Sequence, residues 1–92
     1  MRFVWDDANL EYIAKRNWEV EDVEEAFADP YRIRTDAYNT AFEKRRAITG
    51  QTTYGDIITV IYTVRGEAIR PFSVQVKPRE IERYKRMRRD KR

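Results

Sequence analysis

The chain has 92 residues, of which 41% are hydrophobic and 38% are charged, and its formal net charge is +3. A chain of this length supports one small core, so we expect a single domain over residues 1–92. It contains no cysteine and no histidine, which excludes disulfides, thiolate metal sites and histidine-based acid–base catalysis and argues against zinc. We therefore expect neither a metal nor a cofactor.

Neither a secretion signal nor a membrane span is predicted. The N-terminus lacks a basic and apolar signal segment, and no apolar run approaches the roughly 20 residues needed to cross a bilayer. Together with the absence of cysteine, this favours a cytoplasmic protein that does not bind membranes.

Charge is segregated along the chain. Residues 6–29 contain nine acidic and two basic residues, whereas residues 77–92 contain nine basic and three acidic ones. The basic segment is expected to attract a polyanion such as a phosphate backbone, although a helix whose charges are only solvated is the alternative.

The first half of the chain predicts a short strand over residues 2–5 and then two helices. Asp6 or Asp7 caps the first helix, which closes at residues 17–18. Three of its apolar residues recur at helical spacing and are expected to face the core: Leu10, Ile13 and Ala14. The second helix spans residues 19–28 and has its own apolar face, and the following Asp-Pro pair ends it.

After this point the hydrophobic period changes to two, which predicts strands over residues 31–35, 41–49 and 56–64. The third is apolar on both faces and is expected to be the central strand. Gly66 suits a tight turn, so residues 67–76 should return antiparallel, with Pro71 marking an edge position or a bulge.

Pro78 suits the first turn of a final helix, which extends to about residue 89. Ile81, Tyr84 and Met87 are expected to face the body of the domain, and residues 88–92 are expected to form a frayed basic tail. The order β-α-α-β-β-β-β-α predicts an α+β domain with an antiparallel sheet of about four strands plus a short N-terminal strand.

Five short stretches occur in sequence order: FVWDDAN, DVEEAFADP, RRAITG, TVIYTVRGEAIRPFS and REIERY. Together they resemble the BrnT family of small bacterial toxins over essentially the whole chain. The resemblance implies a RelE-like fold, endoribonuclease activity and a role as the toxin of a toxin–antitoxin pair. It also implies a BrnA-like ribbon-helix-helix antitoxin, through which alone the protein would meet operator DNA.

The chain departs from the family pattern at two places. Members usually carry Lys-His-Gly after the first helix, where this chain has Lys15, Arg16 and Asn17. Their Ser-Ala-Arg stretch in the last strand is here Ser73, Val74 and Gln75. Each departure removes a cationic or titratable group, so a noncatalytic module of the same fold, binding RNA or antitoxin in operon autoregulation, is the alternative function.

Cleaving RNA without a metal requires a base for the 2′-hydroxyl, a cation for the phosphorane and an acid for the leaving 5′-oxygen. Arginine forks suit the phosphate, and Glu80 is a candidate base, as is a lysine or tyrosine with a shifted pKa. The candidate catalytic residues are Arg65, Arg70, Glu80 and Tyr84. The candidate RNA-binding residues are Arg45, Arg46, Lys77, Arg79, Arg83 and Arg86.

Several candidates also have a purely structural interpretation. Arg65 is alternatively a solvated turn residue, and Arg70 alternatively pairs with Glu43 or Glu67 across the sheet. Arg45 and its neighbour alternate across their strand, so only one of the two can join the site.

The two candidates on the last helix have equally simple alternatives. Tyr84 either stacks on a base, or contacts phosphate through its hydroxyl, or is packed in the core. Glu80 lies in the first turn of a helix, where a carboxylate favours the helix dipole without any further role.

Overall fold

The computed structural model describes residues 2–35 and 44–90, which form three helices and one five-stranded sheet. The element order is β-α-α-β-β-β-β-α, which confirms the predicted α+β class. The strands are β1 (Arg2–Phe3), β2 (Ile33–Thr35), β3 (Arg46–Gln51), β4 (Ile57–Arg65) and β5 (Ala68–Gln75). The helices are α1 (Asp7–Lys15), α2 (Val20–Ala28) and α3 (Pro78–Asp90).

The strand order across the sheet is β1-β5-β4-β3-β2, so β4 occupies the centre as its two apolar faces predicted. The pairs β2–β3, β3–β4 and β4–β5 are antiparallel, and β1 adds to β5 in parallel. The central position buries β4 on both sides, because helices pack on each face of the sheet at this strand.

The β4–β5 hairpin turns at Gly66, whose φ of 60° confirms the predicted tight turn. Tyr62 lies opposite Pro71, but Ile61 lies opposite Ser73, so Phe72 is an extra residue on β5. Pro71 therefore sits at a β-bulge, one of the two positions that its missing N–H predicted.

The main core lies between the sheet and the first two helices. Ile58, Val60 and Tyr62 alternate along β4 towards this side and pack against buried residues such as Phe27 of α2. We call it the α1–α2 face. Strand β3 and helix α2 are in close contact, since a Cβ added to Gly50 of β3 would lie 2.3 Å from the carbonyl oxygen of Ala26 in α2.

Helix α3 packs on the opposite side of β3 and β4, which we call the α3 face. Thr49 and Thr59 point to this side, are 0% and 1% exposed, and join their hydroxyls at 2.7 Å. Tyr84 of α3 is 1% exposed, as its predicted inward position requires.

The inward face of α1 differs from the prediction. Ile13 is buried, but Leu10 is 36% exposed and Ala14 is also exposed, whereas Asn9 is only 2% exposed. The reason is that α1 lies along β5 and binds it through polar side chains, so apolar spacing alone located the wrong face.

Some predicted boundaries also shift. Residues 88–90 belong to α3 instead of a frayed tail, and residues 91–92 lie outside the described chain. The strand predicted over residues 31–35 shortens to β2, because Asp29 organises a turn by accepting from the Tyr31 N–H at 2.8 Å. Of the strand predicted over 41–49, residues 41–43 are likewise not described.

In the described part of the chain, no helix combines the length and the apolar composition that spanning a membrane requires.

Candidate functional site

The two hairpin arginines point to the same side of the sheet. Thr63 pairs with Arg70, and Arg65 pairs with Ala68. Thr63 and Arg65 lie four and six residues after Thr59 on β4, so alternation directs them to the α3 face. Arg70 shares that face, because directly opposed residues project to the same side. The hairpin thus presents two guanidinium-bearing side chains together.

Arg70 is held by a carboxylate from the N-terminal part of the chain. Its Nε and Nη2 donate to Oδ2 of Asp6 at 3.2 and 3.0 Å. The other carboxylate oxygen caps α1 by accepting from the Asn9 N–H at 3.0 Å. This backbone hydrogen bond and the adjacent guanidinium both lower the pKa of Asp6. Among the described residues Arg70 therefore pairs with Asp6 and not with Glu67, while Glu43 lies outside the described residues.

The contact fixes Arg70 without using all of its donors. A guanidinium has five N–H groups, and Asp6 engages one on Nε and one on Nη2. Three remain for a ligand, including both on Nη1. The Arg70 side chain is 28% exposed, so part of it is open to a ligand.

Further contacts join α1 to β5 in matching order. The Asn9 amide donates to the Pro71 carbonyl at 3.0 Å, and the Tyr12 hydroxyl is 3.0 Å from Ser73 Oγ. The guanidinium of Arg16 lies 3.6 Å from the centre of the Tyr12 ring. Asp6, Asn9, Tyr12 and Arg16 recur at helical spacing, so one polar side of α1 follows the course of β5.

Arg16 and Gln75 both belong to this row of contacts. Gln75 donates from Nε2 to Ser73 Oγ at 3.4 Å, and Ser73 in turn contacts Tyr12, on which Arg16 stacks. Gln75 is therefore linked to Arg16 through the side chains of Ser73 and Tyr12.

Arg45 and Arg46 point to opposite faces. Arg46 pairs with Tyr62 and so belongs to the α1–α2 face. Arg45 precedes it, belongs to the α3 face, and holds its guanidinium 4.7 Å from the centre of the Phe72 ring. The register therefore selects Arg45 as the arginine that shares a face with Arg70.

Glu80 and Arg83 lie together on α3. Arg83 Nη1 donates to the carbonyl of Arg34 at 2.9 Å and to Glu80 Oε2 at 3.4 Å. Through Ile48, Arg34 shares a row of the sheet with Val60, which is three residues or about 10 Å along β4 from the row of Thr63 and Arg70. Strand β2 is also three strand spacings, or about 14 Å, from β5, so Arg34 and Arg70 are about 17 Å apart across the sheet.

Tyr84 belongs to a buried network. Its hydroxyl donates to Asp29 Oδ2 at 2.5 Å, and the same oxygen accepts from the Gln51 N–H at 2.8 Å. Burial, followed by the hydrogen bond to Asp29, raises the pKa of Tyr84 to about 12. The hydroxyl therefore stays protonated at neutral pH and faces the interior, as the packing interpretation expects.

The Tyr84 network is also remote from the hairpin arginines. Gln51 pairs with Ile57, whereas Arg70 pairs with Thr63, six residues further along β4. At about 3.3 Å per residue, the two rows are about 20 Å apart. The four candidate catalytic residues do not converge on one point.

The remaining candidates line the approach to α3. Arg79 and Arg86 are exposed on the helix, and Lys77 is half-buried just before it. None of the three forms an ion pair within residues 2–35 and 44–90. They place positive charge near the surface. Such charge is what a protein needs to bind the phosphate backbone independently of base sequence.

Sequence reasoning missed Asp6 and Asp29 as organising residues. Asp6 was recognised as a helix cap, but its second partner lies 64 residues away. Asp29 was read only as part of a helix stop, yet it accepts from Tyr31, Gln51 and Tyr84. An aspartate before proline at a helix end gives no signal for such long-range contacts.

The described residues contain no group of three acidic side chains that could hold a metal ion. A family model described as "Ribonuclease toxin, BrnT, of type II toxin-antitoxin system" matches residues 5–80. The match extends from Trp5, between β1 and α1, to the first turn of α3, and includes Asp6, Arg65 and Arg70. No curated protein matches the chain.

Proposed function

The chain belongs to the BrnT family of ribonuclease toxins of type II toxin–antitoxin systems, and from this we propose that it cleaves RNA by a metal-independent reaction on the α3 face. The observation that carries the proposal is the shared orientation of Arg65 and Arg70, together with the hold of Asp6 on Arg70.

In this reaction the guanidinium groups stabilise the phosphorane. Arg70 presents its unused Nη donors to a nonbridging phosphate oxygen, and Arg65 adds charge from the same face. A fixed cation of this kind supplies the stabilisation that a metal ion supplies in other nucleases. Asp6 favours the reaction by holding the fork in one orientation, so little reorganisation is needed when the phosphate arrives.

The proton acceptor for the 2′-hydroxyl is assigned to Glu80. Its side chain is 20% exposed, and Arg83 Nη1 donates to its Oε2 at 3.4 Å, which orients the carboxylate on the helix that packs on the α3 face. Glu80 takes the proton of the 2′-hydroxyl, and the 2′-oxygen bonds to phosphorus as the bond to the 5′-oxygen breaks. The leaving 5′-oxygen takes a proton from water, which gives a 2′,3′-cyclic phosphate and a 5′-hydroxyl. We assign no proton transfer to Tyr84, since its hydroxyl is buried on Asp29.

The partners follow from the family and from the charge distribution. A type II toxin has an antitoxin partner, and we propose a BrnA-like ribbon-helix-helix protein that connects this chain to operator DNA. The RelE-like relationship and a cytoplasmic location belong to the same proposal. Basic residues of α3 and the segment before it, namely Lys77, Arg79, Arg83 and Arg86, would bind RNA phosphates together with Arg45.

A noncatalytic module of the same fold is the second candidate. Gln75 favours it, because the resemblance implies an arginine at this position and Gln75 is a neutral amide. Its Nε2 already donates to Ser73 Oγ. Such a module would bind RNA or antitoxin without cutting, and would act in operon autoregulation.

The decisive experiment incubates the purified chain with a defined RNA in excess EDTA and maps both ends of every product. Cleavage that survives EDTA and leaves a cyclic phosphate and a 5′-hydroxyl supports the enzyme. Cleavage abolished by EDTA and restored by Mg²⁺ would contradict metal independence. Binding without cleavage under both conditions would support the second candidate.

A further inference from the structure

A basic cleft lies at the end of the sheet remote from the hairpin arginines. It has a volume of about 580 Å³, and α3 forms one wall while the ends of the β3–β4 connection form the other. The residues that line it are Gln51, Ile57, Glu82, Tyr84, Lys85, Arg88 and Arg89. Three cations against one carboxylate give this cleft a positive balance.

Arg88 is fixed within the cleft. Its guanidinium donates to Gln51 Oε1 and to the Tyr84 hydroxyl, and lies 4.7 Å from the centre of the Tyr31 ring. None of these contacts is to a carboxylate. Lys85 and Arg89 are exposed and form no ion pair in the described segments. None of the three cations of this wall therefore forms an ion pair with a carboxylate of those segments.

The loop between β3 and β4 is tied down. Thr52 N–H donates to the Asp56 carbonyl at 2.8 Å, and Gly55 N–H donates to the Thr52 carbonyl at 3.0 Å. Gln51 Nε2 also donates to the Gly55 carbonyl, and Thr53 N–H donates to Glu25 at 2.9 Å. The backbone of this loop is consequently held from both sides.

Tyr54 stands at the tip of this fixed loop and is 88% exposed. Its side chain makes no hydrogen bond, ring–ring contact or cation–π contact among the described residues. Both ends of the loop, Gln51 and Ile57, line the basic cleft. Tyr54 thus lies three residues from each of two lining residues, and an accessible aromatic near a basic cleft is an arrangement by which proteins bind single-stranded nucleic acid.

We propose that the cleft of Lys85, Arg88 and Arg89, with Tyr54 at its rim, is a second RNA-binding subsite that holds the substrate strand away from the cleavage centre. Phosphates lie against the cations of α3, and one base stacks on Tyr54. This inference rests on the proposed function, since it takes RNA as the substrate.

The distance between the two sites sets a length requirement. Ile57 and Thr63 mark rows of the sheet about 20 Å apart. At about 3.4 Å per stacked nucleotide, a strand of about six nucleotides spans this separation. At this stacked spacing a tetranucleotide is too short to occupy both sites, whereas a 16-nucleotide strand reaches both.

The test measures binding of 2′-O-methyl RNA of 4 and of 16 nucleotides, which cannot be cleaved because the 2′-oxygen is blocked. We compare wild type with Tyr54→Ala, Tyr54→Phe and Arg89→Ala, and use Lys15→Ala as the control for loss of one exposed cation. Lys15 lies on α1 and pairs with Glu11. Thermal melts confirm that each variant is folded.

Tyr54→Ala is expected to weaken binding of the 16-nucleotide strand about 5- to 150-fold, the loss that follows removal of one base–aromatic stack. Tyr54→Phe keeps the ring and should bind like wild type. Arg89→Ala should reduce the slope of log affinity against log salt by about 0.7, since one phosphate contact to a single strand is lost. Lys15→Ala should leave the slope unchanged.

For each protein, the gain in affinity is the ratio of its affinities for the 16- and the 4-nucleotide strand. The inference is overturned if this gain is the same for Tyr54→Ala as for wild type. It is also overturned if polyglutamate displaces the strand in a Tyr54-dependent way, because the surface then serves an acidic protein segment. If wild type binds neither strand, the proposed function itself fails. That result differs from the one in which wild type and Tyr54→Ala both bind and gain equally from the longer strand.

Discussion

The Tyr84→Phe substitution removes the hydroxyl that joins α3 to the turn after α2. Tyr84 is 1% exposed, and its hydroxyl donates to Asp29 Oδ2, which keeps the Gln51 N–H as a second donor. A hydrogen bond to a charged group contributes about 1.5–3 kcal/mol. Because Asp29 retains other donors, we expect the variant to lose about 1–2 kcal/mol of unfolding free energy at pH 7.

The pH dependence of this difference provides a sharper criterion. The pKa of Tyr84 is raised from 10.0 to about 12 in the folded protein, so the folded state holds the proton more tightly than the unfolded state. The stabilisation is therefore complete below pH 10 and is lost as pH rises through about 12. A rise of two units corresponds to at most about 2.7 kcal/mol, which sets an upper limit consistent with the 1–2 kcal/mol expected from the hydrogen bond.

The assay is urea unfolding followed by the fluorescence of Trp5 and Trp18, for wild type and Tyr84→Phe, between pH 7 and pH 11.5. With a slope of about 1 kcal/mol per molar urea for a chain of this size, the midpoints should differ by about 1–2 M at pH 7. The difference should shrink above pH 10. A difference that is absent at pH 7, or that stays constant up to pH 11.5, would refute the role of the buried hydroxyl.

Two further substitutions test the packing and the placement of Arg70. Gly50→Ala should lower the free energy of unfolding in urea by about 1–3 kcal/mol, because its Cβ would lie 2.3 Å from the Ala26 carbonyl oxygen. An unchanged urea midpoint would show that α2 does not pack this closely on β3. Asp6→Asn keeps an oxygen to cap α1 but no longer holds the Arg70 fork by charge, so kcat for RNA cleavage should fall while the melting temperature changes little. Cleavage at the wild-type rate by Asp6→Asn would show that Asp6 does not orient Arg70.

The elements that were predicted correctly are those whose cause is local. A strand that is apolar on both faces must be buried on both sides of the sheet, and this predicted correctly that β4 lies at the centre. Gly66 located the hairpin because few other residues adopt a φ of 60°. Pro71 marked the bulge because a residue without an N–H disturbs the ladder.

The elements that were missed depend on partners far away in the sequence. Leu10 and Ala14 fit an apolar helical pattern, but α1 packs on β5 through Asn9 and Tyr12, so they remain exposed. Spacing cannot identify a helix face whose contacts are polar.

The candidate site shows the same division between local and distant causes. Alternation predicted correctly that Arg45 and Arg46 separate, and the register of β3 with β4 was needed to say which of them joins Arg70. The hold of Asp6 on Arg70 joins residues 64 positions apart, and no local pattern announces it.

The measurement that bears most directly on the proposed reaction is the single-turnover rate of RNA cleavage in EDTA by Arg70→Ala, Arg70→Lys and Arg46→Ala. Arg70 lies on the α3 face, whereas Arg46, an arginine on a strand of the same sheet, projects to the α1–α2 face. We predict that Arg70→Ala cleaves about 10²–10³-fold more slowly, that Arg70→Lys recovers only part of the rate because it lacks the planar fork, and that Arg46→Ala cleaves like wild type. Equal losses for Arg70→Ala and Arg46→Ala, or no loss for Arg70→Ala, would contradict an arginine centre on the α3 face.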